Sequence, residues 1–237
     1  MVSVRSQVDT TFDFRSDTPP GQDADSHSPR LFEYHQFLWS KPLPSGVVFK
    51  LEDARPKAYL RHQSKDREFW MSSDAVVPTF TRESKMAPIL EGVPKKDLDF
   101  FDSIGYTMGG MMIFPGIRIG RKMTINGARG FHPRIKDRFD LTVECIRLHY
   151  LGESSPLEEV LNRDAEYFQL FQDFRGYVEF FLLQDIVADD FVSVKFFAQF
   201  GGFETSPLPS TTEAYIAYMQ LAVEFIQARN RRISESF

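Results

Sequence analysis

The stretch from 133 to 150, PRIKDRFDLTVECIRLHY, limits the fold more than any other part of the chain. Stepped at about 100° per residue, Phe139, Val143, Ile146 and Tyr150 fall on one side of a helix, with Leu141, Cys145 and Leu148 nearly opposite. A surface helix needs one apolar stripe, so two opposed stripes predict a helix packed between layers. The strips between them are charged: Asp137, Asp140, Glu144 and Arg147 share one, Arg138, Thr142 and His149 the other. Charges on a buried helix must be paired or face a cleft, because an unpaired interior charge costs several kcal/mol.

The rest of the chain suits such a helix. At 237 residues it can bury roughly 70% of its unfolded surface in a single core. Its 24 phenylalanines gather in runs such as YFQLFQDF, EFFLLQ and VKFFAQF, which predicts a core of flat rings supplied by the C-terminal half. Runs at 47–52, 58–63 and 68–74 read as strands at hairpin spacing, and YTMGGMMIFPG with RKMTING reads as another hairpin. Ser28 and Pro29 suit the start of a short helix, PRLFEYHQFLWS. Residues 78–97 read as a Pro-dotted connection. Helices are expected at 133–150, 156–171, 173–187 and 211–231, with one strand at 191–197. Strands early and helices late give an α+β fold: antiparallel hairpins packed against a mostly helical half around the central helix. Residues 1–28 read as a polar arm and 29–237 as one domain.

Positive charge concentrates beside that helix. Arg118, Arg121, Lys122, Arg129, Arg134, Lys136 and Arg138 stand against a single acid, Asp137, in a chain of net charge -5. Cations, glycines and a helix N-terminus together favour an anion such as phosphate. Asn126, Arg129, Arg134, Arg138 and Arg147 are therefore candidate phosphate contacts, and Asp140 and Glu144 candidate acid–base groups. Arg118, Arg121 and Lys122, with Asn126-Gly127 closing a tight turn, read as a solvated hairpin tip. Read instead as an internal network, Arg147 bridges Asp140 and Glu144 and anchors the helix.

Several classes have no motif here: GxSxG, HExxH, CxxC, a P-loop and an EF-hand are all missing from the sequence. His35 in an apolar helix reads as a core residue, and Trp39 with Lys41 as packing under the first hairpin. No metal site is assigned, and the cofactor is unknown; a nuclease or phosphotransferase would call for a divalent metal held by carboxylates. The single cysteine, and the lack of both a signal segment and a membrane-length apolar run, point to a cytoplasmic protein. The chain resembles a family of uncharacterised bacterial proteins, a domain of unknown function sharing the segments FDFRSDTPPG, YHQFLWSKPLPSG and INGARGFHPRIKDRFDLTVECIRLHY. The resemblance implies a bacterial cytosolic origin and carries no chemistry. Two functions follow from the residues. One is binding, and processing, of a phosphate-bearing ligand such as a nucleotide or nucleic-acid end. The other is a non-catalytic interaction protein that docks an acidic partner through the basic hairpin.

Overall fold

The computed structural model describes residues 8–63, 67–116 and 123–237. A short ladder joins β1 (Lys41–Pro42) to β2 (Val48–Phe49), and a four-stranded antiparallel sheet runs β3 (Leu51–Asp53), β4 (Leu60–Gln63), β5 (Glu68–Ala75) and β6 (Met111–Pro115) in spatial order. The helices are α1 (Ala24–His27), α2 (Pro29–Trp39), α3 (Ala87–Glu91), α4 (Lys95–Gly105), α5 (Ile125–Phe131), α6 (Phe139–Leu151), α7 (Glu158–Arg163), α8 (Ala165–Gln169), α9 (Phe174–Phe180) and α10 (Thr212–Ser236). Antiparallel strands lie in the N-terminal half and helices dominate the C-terminal half, an α+β fold.

Strand alternation decides what covers each face of the sheet. Met71, Ser73 and Ala75 of β5 are buried on one face, where Ser73 meets His35 of α2 at 2.9 Å. Ser72 and Asp74 point the other way, and α5 lies over them: Asn126 Nδ2 donates to Ser72 Oγ at 3.0 Å and Arg129 Nη1 to Asp74 Oδ2 at 2.5 Å. Spacing i,i+3 on a helix thus matches i,i+2 on a strand. The phenylalanine runs form two aromatic groups: Phe171 lies 5.3 Å from Tyr167, 5.4 Å from Tyr177 and 5.0 Å from Phe180, while Phe197 packs 5.9 Å from Tyr218 and 5.7 Å from Phe225.

The two-faced helix is where its periodicity puts it. Phe139, Val143, Ile146, Leu141, Cys145 and Leu148 are all buried, as are Asp140 and Thr142 on the strips. Gly152, at φ 70°, ends it, with Glu153 N donating to Leu148 O at 2.9 Å. Its start differs from expectation. Pro133 to Asp137 form a turn, not the first helical turns, because Lys136 (φ 50°) and Asp137 (φ 64°) adopt the left-handed region. Thr79 and Arg129 capture the Asp137 carboxylate and hold that conformation. Asn126-Gly127 is likewise no hairpin turn: Thr124 caps α5, accepting from Gly127 N at 3.2 Å. Segment 191–197 forms no strand, only the single bridge Val187–Val194. Phe197 N–H donates instead to Asp140 Oδ2 at 2.9 Å, and so is not available to a partner strand. The basic tip at Arg118, Arg121 and Lys122 lies outside the described residues.

Candidate functional site

The candidate residues do not converge. Arg138 and Asp140 are 1% and 0% exposed and paired with each other. Arg138 also donates to Pro207 O at 2.8 Å and Ala198 O at 3.3 Å, so the pair ties the 196–208 segment to α6. Glu144 and Arg147 form a separate bidentate pair, with both bonds at 2.8 Å. The expected bridge from Arg147 to Asp140 is therefore not made, because Arg138 holds Asp140 first. Arg134 is on the surface, 2.6 Å from Glu204. Asn126 is committed to β5 through Ser72 and Ser73 O. The sequence grouped these residues on one helix and the basic loop before it; the fold gives them separate partners.

Arg129 is the exception. It is 0% exposed, and its guanidinium contacts Asp74 at 2.5 Å and Asp137 at 3.0 Å, with further bonds to Thr142 Oγ1, Ala75 O and Asp137 O. Burial alone would disfavour its charge, but Asp137 and Asp74 more than offset that and hold it protonated. Thr79 donates from both N and Oγ1 to Asp137 Oδ2 at 2.8 Å, which fixes the second carboxylate.

These carboxylates line a cleft of about 610 Å³ closed on its far side by residues 18–25, a size within the ~300–1,000 Å³ of small-molecule sites. Asp23 caps α1, and Asp25 in the same turn reaches into the cleft beside Asp74. Oδ1 of Asp25 is buried with no hydrogen-bond partner among the described residues. Burial, then the neighbouring Asp74 and Asp23, push the Asp25 carboxyl well above the usual carboxylate range. Burial, reinforced by Asp137 and opposed by Arg129, pushes Asp74 up to about 6. Carboxyls whose proton affinity is raised by burial in one cleft are candidates for acid–base work. Arg15 and Arg82 stand at the rim. Arg15 is held by Asp13 and lies 5.1 Å over the Tyr106 ring; Arg82 is exposed and makes no ion pair among the described residues.

Two other arrangements have less to offer. A hollow of about 790 Å³ between α4 and α10 is lined by Phe100, Ile104, Ser103 and Asn230, whose amide is already committed to Gly109 N and Thr107 Oγ1. His35 and Ser73 are not a nucleophile and its base. Trp39 Nε1 donates to His35 Nδ1 at 3.0 Å, so Nε2 carries the proton and donates to Ser73. Burial and then Arg229 push this imidazole down to about 3, so it stays neutral. Among the described residues, no three His, Cys, Asp or Glu side chains are placed to hold a metal ion, and no helix is long and apolar enough to cross a membrane.

Asp25, Asp74 and Thr79 have no motif around them in the sequence. The signal for Asp74 is faint: a charged residue at the end of an apolar strand, on the face opposite the core residues Met71 and Ser73. Asp25 is masked by a segment whose composition reads as loop. No curated protein and no solved structure matches the chain. The model of a family of unknown function, DUF6994, matches residues 8–233, and the chain belongs to that family.

Proposed function

We propose that the cleft is an acid–base site for a phosphate-bearing ligand, a nucleotide or nucleic-acid end. Asp25 is the proton donor, Asp74 the ionised partner, and Arg15 and Arg82 take the phosphate. One observation carries this reading: the buried, unpartnered Oδ1 of Asp25 beside Asp74. A buried polar atom left unpaired costs about 1–3 kcal/mol, which a bound ligand recovers by supplying the partner. The phosphate contacts are reassigned from the sequence-based set because Arg129 and Arg138 are buried in protein pairs. Arg82 is exposed with its guanidinium fork open to a phosphate.

Melting temperature is measured with inorganic phosphate, nucleoside monophosphates and a short oligonucleotide, for the wild type and for Arg82→Glu. A ligand at 100 times its Kd stabilises by about 2.7 kcal/mol. Nucleotides should stabilise the wild type and lose most of that effect on Arg82→Glu. A wild type indifferent to all three probes ends the proposal.

A further inference from the structure

We infer that the site hydrolyses the glycosidic bond of its nucleotide, releasing the free base, and leaves the phosphate ester intact. The inference rests on the acid–base reading above and adds the bond that is cleaved. Its basis is the depth of the charges: the cations of the cleft, Arg15 and Arg82, are exposed, as is Asp23, whereas Asp25 and Asp74 are half-buried and Asp137 is buried.

The guanidinium of Arg129 lies behind Asp74 and Asp137 with no exposed surface, so a ligand at the floor meets carboxylate oxygens and no cation. A phosphoryl group in transfer gathers negative charge on its equatorial oxygens and needs cations around it. Placed here, it would face Asp74 and Asp137. A glycosidic carbon does the opposite: it develops oxocarbenium character, which a nearby carboxylate stabilises while an acid protonates the leaving group. Asp74, whose oxygens accept from Arg129 Nη1 and from Ala75 N–H at 3.0 Å, supplies the first. Asp25, with a buried carboxyl oxygen that has no partner among the described residues, supplies the second. The two threonine hydroxyls of the cleft are not nucleophiles, since Thr18 Oγ1 donates to Phe14 O at 2.6 Å and Thr79 Oγ1 to Asp137. Arg15 and Arg82 keep the phosphate at the rim, with the sugar carbon below it.

The step balances without a redox partner. As the bond between the sugar carbon and the base nitrogen breaks, its electron pair leaves with the nitrogen, which takes the proton of Asp25. The Asp74 carboxylate stabilises the electron-poor carbon. A water molecule then bonds through oxygen to that carbon and returns a proton to Asp25. Nucleotide and water give free base and sugar phosphate.

The test incubates wild-type protein with the four common nucleoside monophosphates and with pseudouridine monophosphate, then quantifies free base and inorganic phosphate in the same samples. Base should appear from the nitrogen-linked nucleotides and none from pseudouridine monophosphate, whose base is carbon-linked. Asp25→Asn and Asp74→Asn should each reduce base release by about 100-fold or more, while Asp25→Asn is still stabilised by nucleotide. Phosphate release without base, or no base from a wild type that nucleotides stabilise, overturns the inference and spares the binding site. Failure of every nucleotide to stabilise the wild type removes both. None of these wild-type readings depends on a variant folding.

Discussion

Two arginines with no exposed surface, Arg129 and Arg229, solve the same problem in opposite ways. Arg229, on α10, is surrounded by neutral acceptors: Phe181 O at 3.1 Å, Gly109 O at 3.0 Å, Met111 O at 2.8 Å and the Met112 sulfur at 3.2 Å, with Trp39 5.6 Å away. It makes no ion pair among the described residues, and burial pushes its pKa down. Gly109 itself packs directly on the backbone of α10, since a Cβ there would sit 2.4 Å from Ile226 O. Arg129 is held by Asp74 and Asp137, and behind those carboxylates lies a cleft. Carbonyl dipoles satisfy a cation and leave nothing to titrate. Carboxylates satisfy it and leave protonatable oxygens at the edge of solvent. The first region is architecture, and the second has the means for chemistry.

Removing each arginine in turn should give the largest effects and separate the two cases. Arg129→Met strands the buried Asp137 and the half-buried Asp74 carboxylates, at about 3–5 kcal/mol. Arg229→Met leaves the carbonyls of Phe181, Gly109 and Met111 without their donor, a loss on the order of 3 kcal/mol. The pH dependence tells them apart. Without Arg129, Asp74 loses the cation that opposes its upward shift and binds protons still more readily in the folded chain than in the unfolded one, so the deficit shrinks as pH falls from 7.5 to 5.5. The Arg229→Met deficit stays flat. Urea denaturation at the two pH values measures both, and a flat Arg129→Met deficit would break the contrast.

A smaller effect belongs to the wild type. Asp74 faces Asp25 and Asp23 from the α1 segment, Asp137 and Arg129 from the turn and α5, and Arg15 and Arg82 at the rim. Its folded pKa, about 6, lies above the usual value of 3.8, so between those values the folded state binds more protons than the unfolded state. The stability this group contributes is complete below about pH 4 and is lost as pH rises through 6. At about 1.4 kcal/mol per unit, the swing is about 2–3 kcal/mol for a side chain 22% exposed. Carboxylates elsewhere, such as Asp53 and Glu83, are shifted downward by their ion pairs and slope the other way. The useful quantity is therefore wild type minus Asp74→Asn: the wild type should gain on the variant between pH 7 and 4.5. No gain would mean that Asp74 is an ordinary surface acid.

The same contrast explains what the sequence revealed. Periodicity is a local signal, and it located the two buried faces of α6, the β5 strand and the Ser28-capped α2 because side-chain direction in each follows from the backbone alone. It failed where partners are distant. Asp137 leaves the helical path where Thr79, 58 residues earlier, donates from N and Oγ1 to its carboxylate, and Asp74 meets Arg129 across 55 residues. Charges spaced i,i+4 suggested a network among Asp140, Glu144 and Arg147, yet Arg138, two residues from Asp140, has the better geometry. Helix α4 went unread because its charged first turn, KKDLD, resembles the connection that precedes it. The fold class was legible from local pattern; the cleft, assembled from four separate segments, was not.

The smallest expected effect is the most pointed. Arg134 and Glu204 are 49% and 79% exposed, so their 2.6 Å contact is strongly solvated and screened. Exposed pairs of this kind contribute about 0–1 kcal/mol, and Arg134→Glu should change stability by less than about 0.5 kcal/mol. It should also leave nucleotide binding untouched, because Arg134 does not line the cleft, whereas Arg82→Glu should abolish it. Calorimetric titration of both variants with one nucleoside monophosphate decides between them. If Arg134→Glu loses the ligand and keeps its melting temperature while Arg82→Glu binds normally, the anion enters near α6. Asp25 and Asp74 would then form a buried polar cluster with no ligand, and Arg129 would join Arg229 as architecture.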